Sequence, residues 1–126
     1  MSQPLPKEFV ASMREMLGDD AEKLFAALDT DPATSIRLNP MKPAKVFDGE
    51  TIGWSKWGRY LAERPQFTLD PLMHGGAYYV QEASSMFISH VLRHLVKESV
   101  DMLDLCAAPG GKSTAARSVL PAGSTL

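Results

Sequence analysis

The segment Asp104-Leu105-Cys106-Ala107-Ala108-Pro109-Gly110-Gly111-Lys112 constrains this 126-residue chain more than any other. The apolar run from Val100 to Leu105, with Met102, Leu103 and Leu105, precedes the loop and predicts a strand. Behind the loop, Lys112 to Val119 predicts a helix that Pro121 and Gly123 end. Strand, small-residue loop and helix make the βα turn of nucleotide-binding folds. Small side chains at Cys106, Ala107, Ala108, Gly110 and Gly111 let the backbone approach a ligand closely. The amides at the helix start add donors and a partial positive charge.

The spelling of the loop sorts three ligand classes. Gly111-Lys112-Ser113 fits the second half of a phosphate-binding P-loop, but the first glycine of that pattern would stand where Cys106 is. A dinucleotide fingerprint fails too, because the loop's glycines are the adjacent Gly110 and Gly111. The pattern that fits is an acidic residue followed by small residues at every second position, here Asp104, then Cys106, Ala108 and Gly110. S-adenosylmethionine-dependent methyltransferases carry such a loop, and the Cys-x-x-Pro-Gly-Gly-Lys spelling resembles the first motif of the Sun family of RNA (cytosine-5) methyltransferases. The resemblance extends upstream through Ser35-Ile36-Arg37-Leu38-Asn39-Pro40, Arg64-Pro65, Phe67, Asp70-Pro71, His74 and Tyr78-Tyr79-Val80-Gln81-Glu82-Ala83-Ser84-Ser85-Met86. Within the family this wording is most similar to the bacterial RsmF-like branch, which modifies small-subunit ribosomal RNA.

The resemblance implies an α/β architecture: a small α+β amino-terminal accessory domain over residues 1–72, then the first βα unit of a Rossmann-like methyltransferase domain over 73–126. It implies S-adenosylmethionine as cofactor, contacted by Cys106, Ala107, Ala108, Pro109, Gly110, Gly111 and Lys112. Lys112 is expected to help the helix-start amides hold the cofactor's carboxylate. The implied substrate is 16S ribosomal RNA in the cytoplasm. In this family the methyl acceptor is activated by a cysteine of a later Pro-Cys motif, and a Thr-Cys cysteine assists release. Neither motif occurs here, so the expectation is an amino-terminal fragment with no catalytic residue and no activity of its own.

Cys106 is the chain's one cysteine, which rules out an internal disulfide and suits a reducing compartment. It is read as a small, buried, cofactor-lining residue and not as a nucleophile. No long apolar segment or basic-plus-apolar leader points to a membrane.

The net charge of −2 conceals an asymmetry. Residues 7–31 carry −4, whereas residues 35–64 carry +3 together with Trp54, Trp57 and Tyr60. Cations attract phosphates and aromatic faces stack on unpaired bases, so this segment is a candidate RNA contact. A small core with a solvated rim accounts for it equally well. A non-catalytic RNA-binding module and a P-loop fragment therefore stand as alternative readings.

Apolar spacing predicts two helices, one with Phe9, Val10, Met13 and Leu17 ended by Gly18, the next with Ala21, Leu24, Phe25 and Leu28. Asp19 and Glu22 are a candidate capping pair, and Met13 and Met16 read as core filling. Ile36 and Leu38 alternate with Arg37 and Asn39, which predicts a half-buried strand; Arg37 and Asn39 share its other face, read as an exposed polar face, with contact to RNA or to the catalytic domain as the alternative. Short strands are expected at Lys45–Phe47 and Thr51–Trp54 around an Asp48-Gly49 turn, with a turn at His74-Gly75-Gly76 and an extended Tyr78–Val80. A helix over 81–96 is expected to pack Ile88, Val91, Leu92 and Leu95 on one side, with Glu82, Ser84 and Ser85 capping its start. His90 and His94 could share a helix face, but they lack the glutamate of the zinc-protease pattern and a third ligand nearby in sequence, so they are not read as a metal site.

Overall fold

The two apolar stripes near the start fold as helices α1 (Lys7–Leu17) and α2 (Asp20–Leu28) in the computed structural model, which describes residues 4–42 and 47–126. Gly18 ends α1 with φ +55° and donates its N–H to the Arg14 carbonyl at 3.0 Å, a conformation that costs any residue with a Cβ. The helices meet through the fully buried Ala21 and the edge-on rings of Phe9 and Phe25, 6.4 Å apart. Arg14 lies over the Phe25 ring and 2.8 Å from the Glu22 carboxylate. That exposed pair adds at most about 1 kcal/mol. The Asp19–Glu22 capping pair does not form, because Asp19 is already helical (φ −63°, ψ −22°) and makes no side-chain cap bond. A cap needs the extended backbone that aims its oxygen at the first free amides. Met16, read as core filling, is 70% exposed, since a two-helix hairpin has one face per helix to bury.

Residues Met1–Pro32 form this first compact unit and Ala33–Leu126 the second. The second is built on a four-stranded antiparallel sheet of order β2-β3-β1-β4, with β1 at Thr34–Leu38, β2 at Glu50–Thr51, β3 at Gly58–Leu61 and β4 at Tyr78–Val80. On β1, Ile36 stands opposite Arg59 of β3 and Val80 of β4, and Arg37 opposite Gly58 and Tyr79. The sheet thus draws strands from both sides of residue 72.

Between β2 and β3 the chain makes two tight turns, with Ser55 N–H donating to the Ile52 carbonyl and Gly58 N–H to that of Ser55. Ile52 is thereby turned into the core, and the strand predicted over Thr51–Trp54 ends at Thr51. Lys45 and Val46 of the other predicted strand lie outside the described residues. Phe47 is not in a strand, and its ring meets Tyr78 edge-on at 4.8 Å. Asp70 caps α3 (Pro71–His74) by accepting the Leu72 N–H at 2.8 Å, and the predicted glycine turn then leads into β4.

The predicted helix over 81–96 starts later, as a 3-10 turn at Ser84–Met86 followed by α4 at Phe87–Leu95. Gln81 stays extended because Ser35 holds it twice: its N–H donates to the Ser35 carbonyl and its carbonyl accepts the Ser35 hydroxyl. The turn and helix begin at Ala83 and Met86 without a side-chain cap, so the capping role read for Glu82, Ser84 and Ser85 is not realised. Ile36, Ile52 and Met86 are fully buried between these elements, each contributing about 1.5–3 kcal/mol by leaving water. Leu95, expected to pack, is 75% exposed.

The predicted strand over Val100–Leu105 is reduced to one parallel bridge between Asp101 and Thr125. The Thr125 N–H donates to the Val100 carbonyl and the Met102 N–H to the Thr125 carbonyl, both at 3.0 Å. Leu103 and Leu105 are 80% and 86% exposed. A parallel strand is normally buried on both faces between partners, and the described residues give this segment one contact at one end.

Candidate functional site

The small-residue loop leads into α5 (Gly111–Arg117), as its sequence predicts. Asp104 organises the loop from its base, one carboxylate oxygen accepting the Cys106 N–H at 2.9 Å and the other the Ser113 hydroxyl at 2.7 Å. The Ser113 hydroxyl, then the Cys106 amide, hold the Asp104 carboxyl below the ordinary aspartate range, with nearby Lys112 adding to the effect. Ala108–Pro109 is a cis peptide. Gly110 has φ +99°, a left-handed conformation that favours glycine, and a Cβ there would meet nothing within 4 Å.

Cys106, Ala107, Ala108, Pro109, Gly111 and Lys112 line one side of a cavity of 270 Å³, and Tyr79, Val80, Gln81, Glu82 and Ser85 line the other. Gly110 stands at the head of the helix next to this wall. Cys106 is exposed, with its amide tied to Asp104, which corrects its reading as a buried small hydrophobe. His90 and His94, elsewhere on α4, have rings 4.2 Å apart, and His94 Nδ1 bonds to the His90 carbonyl oxygen.

Sequence reasoning missed Gln81, and for Arg37 it preferred an exposed face over contact with the catalytic domain. The face of β1 predicted to be exposed is covered by α5, and Arg37 is only 5% exposed. Its Nε donates to Gln81 Oε1 at 2.8 Å, and Nη2 donates to Thr114 Oγ1 at 2.5 Å, with longer contacts of 3.4 Å to the Gly111 and Thr114 carbonyls. Gln81 Nε2 also donates to the Gly111 carbonyl, at 3.1 Å. Burial lowers the Arg37 pKa from its ordinary value, partly opposed by Tyr79; a guanidinium starting so high stays charged. Among the described residues no carboxylate lies within ion-pair distance of it, so carbonyl, hydroxyl and amide oxygens alone satisfy it. The available signal was that both residues fall inside the segments carrying the family resemblance.

The site is thus an antiparallel α+β domain bonded to a small-residue loop with an aspartate at its base. A solved methyltransferase homolog from Pyrococcus horikoshii is 28% identical, with a TM-score of 0.71 over 92% of this chain and 41% of its own. A second solved structure, 24% identical with a TM-score of 0.72, shows the same fold. Residues 5–83 match the family model of the N-terminal domain of 16S rRNA methyltransferase RsmF, and the chain belongs to that family. Ribosomal RNA small subunit methyltransferase F of Pectobacterium atrosepticum is 33% identical over 126 residues, which is 87% of this chain and 26% of that protein. A probable ribosomal RNA small subunit methyltransferase B of Synechocystis is 27% identical over 75% of this chain and 23% of that protein. The chain thus spans about a quarter of the length of these curated relatives.

Proposed function

We propose that this chain supplies the amino-terminal domain and the cofactor loop of an S-adenosylmethionine-dependent RNA (cytosine-5)-methyltransferase acting on 16S ribosomal RNA in the cytoplasm. The observation that carries the reading is the loop itself, held by Asp104 through Cys106 and Ser113 so that its small residues wall a 270 Å³ cavity. The names of the relatives, ribosomal RNA small subunit methyltransferases F and B, supply the substrate class. The division into an accessory domain through residue 72 and a methyltransferase domain from 73 belongs to the same proposal.

The cavity fits the cofactor's chemistry. Lys112 and Glu82 on its wall offer one charge of each sign, matching an amino acid's carboxylate and ammonium. Residues 106–109 and Gly111 add a wall of small side chains and backbone. S-adenosylmethionine, when bound, supplies the methyl group. Cytosine C5 is a poor nucleophile until a thiolate adds at C6; the Sun-family resemblance assigns that thiolate to a Pro-Cys motif that these 126 residues do not contain. The P-loop alternative fits less well, because Cys106 stands where the first glycine of that pattern would be.

The test is transfer of labelled methyl from S-adenosylmethionine to small-subunit ribosomal RNA. The full-length protein should transfer it and this chain alone should not; transfer by the purified 126-residue chain would overturn the assignment of the nucleophile. In the full-length protein Gly110→Val should weaken cofactor binding by calorimetry and leave RNA binding unchanged, because a branched Cβ opposes the left-handed backbone. Unchanged cofactor affinity in a folded Gly110→Val protein would remove the loop from the site.

A further inference from the structure

Resting on the reading of residues 106–112 as the cofactor loop, we propose that Arg37, with Gln81, is a positioning residue: from the central strand of the amino-terminal sheet it sets the first turn of α5, and with it Gly111 and Lys112, for cofactor binding. Arg37 lies 74 and 77 residues from Gly111 and Thr114, yet it bonds to both. Gln81 completes the arrangement by accepting from Arg37 and donating to the Gly111 carbonyl. Two side chains distant in sequence, Arg37 and Gln81, thus converge on the carbonyl of the residue that opens the helix.

Two further features confine that turn. A Cβ at Gly111 would lie 3.4 Å from the Tyr79 ring and 3.5 Å from Gln81 Nε2, so the backbone sits directly on the side chains of the sheet. Thr114, one turn on, returns its hydroxyl to the Gly110 carbonyl at 2.7 Å while accepting from Arg37. Asp104 holds the loop from the other end through Cys106 and Ser113. The loop is therefore tied at its base by Asp104 and at its helix end by Arg37, with the Gly110 carbonyl held by Thr114 between the two. Arginine suits this place because its planar fork serves Gln81 and Thr114 at once in fixed directions, which a lysine ammonium cannot do.

The experiment is steady-state kinetics of the full-length enzyme with S-adenosylmethionine and RNA varied separately, on Arg37→Lys, Thr114→Val and the double variant. Loss of bonds to a charged donor predicts a rise of about tenfold in the KM for S-adenosylmethionine with Arg37→Lys and about threefold with Thr114→Val. The kcat and the KM for RNA should stay within about twofold, and the double variant should be no worse than Arg37→Lys, since both act through one contact. Thr114→Ser, which restores the hydroxyl, should bring the KM back. A merely structural role would lower the active fraction, and hence kcat, at unchanged KM; that result would overturn the proposal. Should Arg37→Lys not fold, the exposed Thr114 variants carry the test. Gly110→Val, titrated alongside, separates the two readings. If it weakens cofactor binding while Arg37→Lys and Thr114→Val do not, the positioning role falls and the loop assignment stands; if it does not weaken binding, the loop assignment falls and the positioning role with it.

Discussion

Gly58→Ala tests the packing that holds the sheet against the 3-10 turn before α4. Gly58 opens β3 opposite Arg37, and a Cβ there would lie 2.8 Å from Ile52 Cδ1, 2.8 Å from Met86 Sδ and 3.0 Å from Ser55 Cβ. Ile52 and Met86 are the ends of movable side chains, but both are fully buried and have no open space to retreat into. Overpacking of this kind costs about 1–3 kcal/mol. Taking the middle, about 2 kcal/mol lowers Tm by about 8–16 °C for a unit of this size. The assay is urea denaturation followed by circular dichroism, with Gly53→Ala as control, because a Cβ at Gly53 meets nothing within 4 Å and should change stability by less than about 0.5 kcal/mol. Met86→Ala alone opens a cavity and costs about 2–5 kcal/mol. Combined with Gly58→Ala it makes room for the new methyl, so the pair should cost less than the sum by at least about 0.5 kcal/mol. A Gly58→Ala protein as stable as the control, or strict additivity with Met86→Ala, would refute the reasoning.

Three other outcomes are expected. The Tyr78 hydroxyl donates to Asp70 at 2.6 Å; burial first, and this bond next, push the Tyr78 pKa up to about 12, while the same bond leads the causes that hold Asp70 below its ordinary value of 3.8. The tyrosine contribution should be complete below pH 10 and vanish towards pH 12, and the aspartate contribution should be present above pH 3.8 and fade as the pH falls through the lowered value. Denaturation midpoints of Tyr78→Phe should lose the alkaline dependence and keep a weaker acid one, because the Leu72 amide still donates to Asp70; an unchanged alkaline limb would contradict the assignment. In the full-length enzyme Cys106→Ala should keep substantial turnover, because only its backbone amide is engaged by Asp104; loss of the covalent RNA adduct with cofactor binding intact would show otherwise. Asp104→Asn keeps an acceptor for the Cys106 amide but turns a donor or a weaker acceptor towards Ser113, so cofactor affinity measured by calorimetry should fall, and equal affinity would remove Asp104 from the support of the loop.

Local sequence was sufficient wherever structure depends on near neighbours. The two apolar stripes of residues 7–28, the stop at Gly18, the extended Tyr78–Val80 and the turn into α5 at Gly110-Gly111 follow from spacing and backbone preference, and all appear in the fold. The loop spelling likewise carries the family, since small residues at alternate positions after an aspartate are a local requirement. What a distant segment would cover was not legible. Arg37 reads as the wet side of an alternating strand, and its burial depends on α5 arriving 74 residues later. Gln81 reads as the start of a helix, yet Ser35, 46 residues away, keeps it extended by taking both its backbone groups. Val100–Leu105 has the composition of a buried strand, but a strand exists only as far as its partners reach, and here that is one bridge to Thr125. Chemistry carried by the order of residues was determined by the sequence alone; which polar group is buried, and which hydrogen bonds hold the loop, only the tertiary structure decided, because burial and pairing belong to two segments at once.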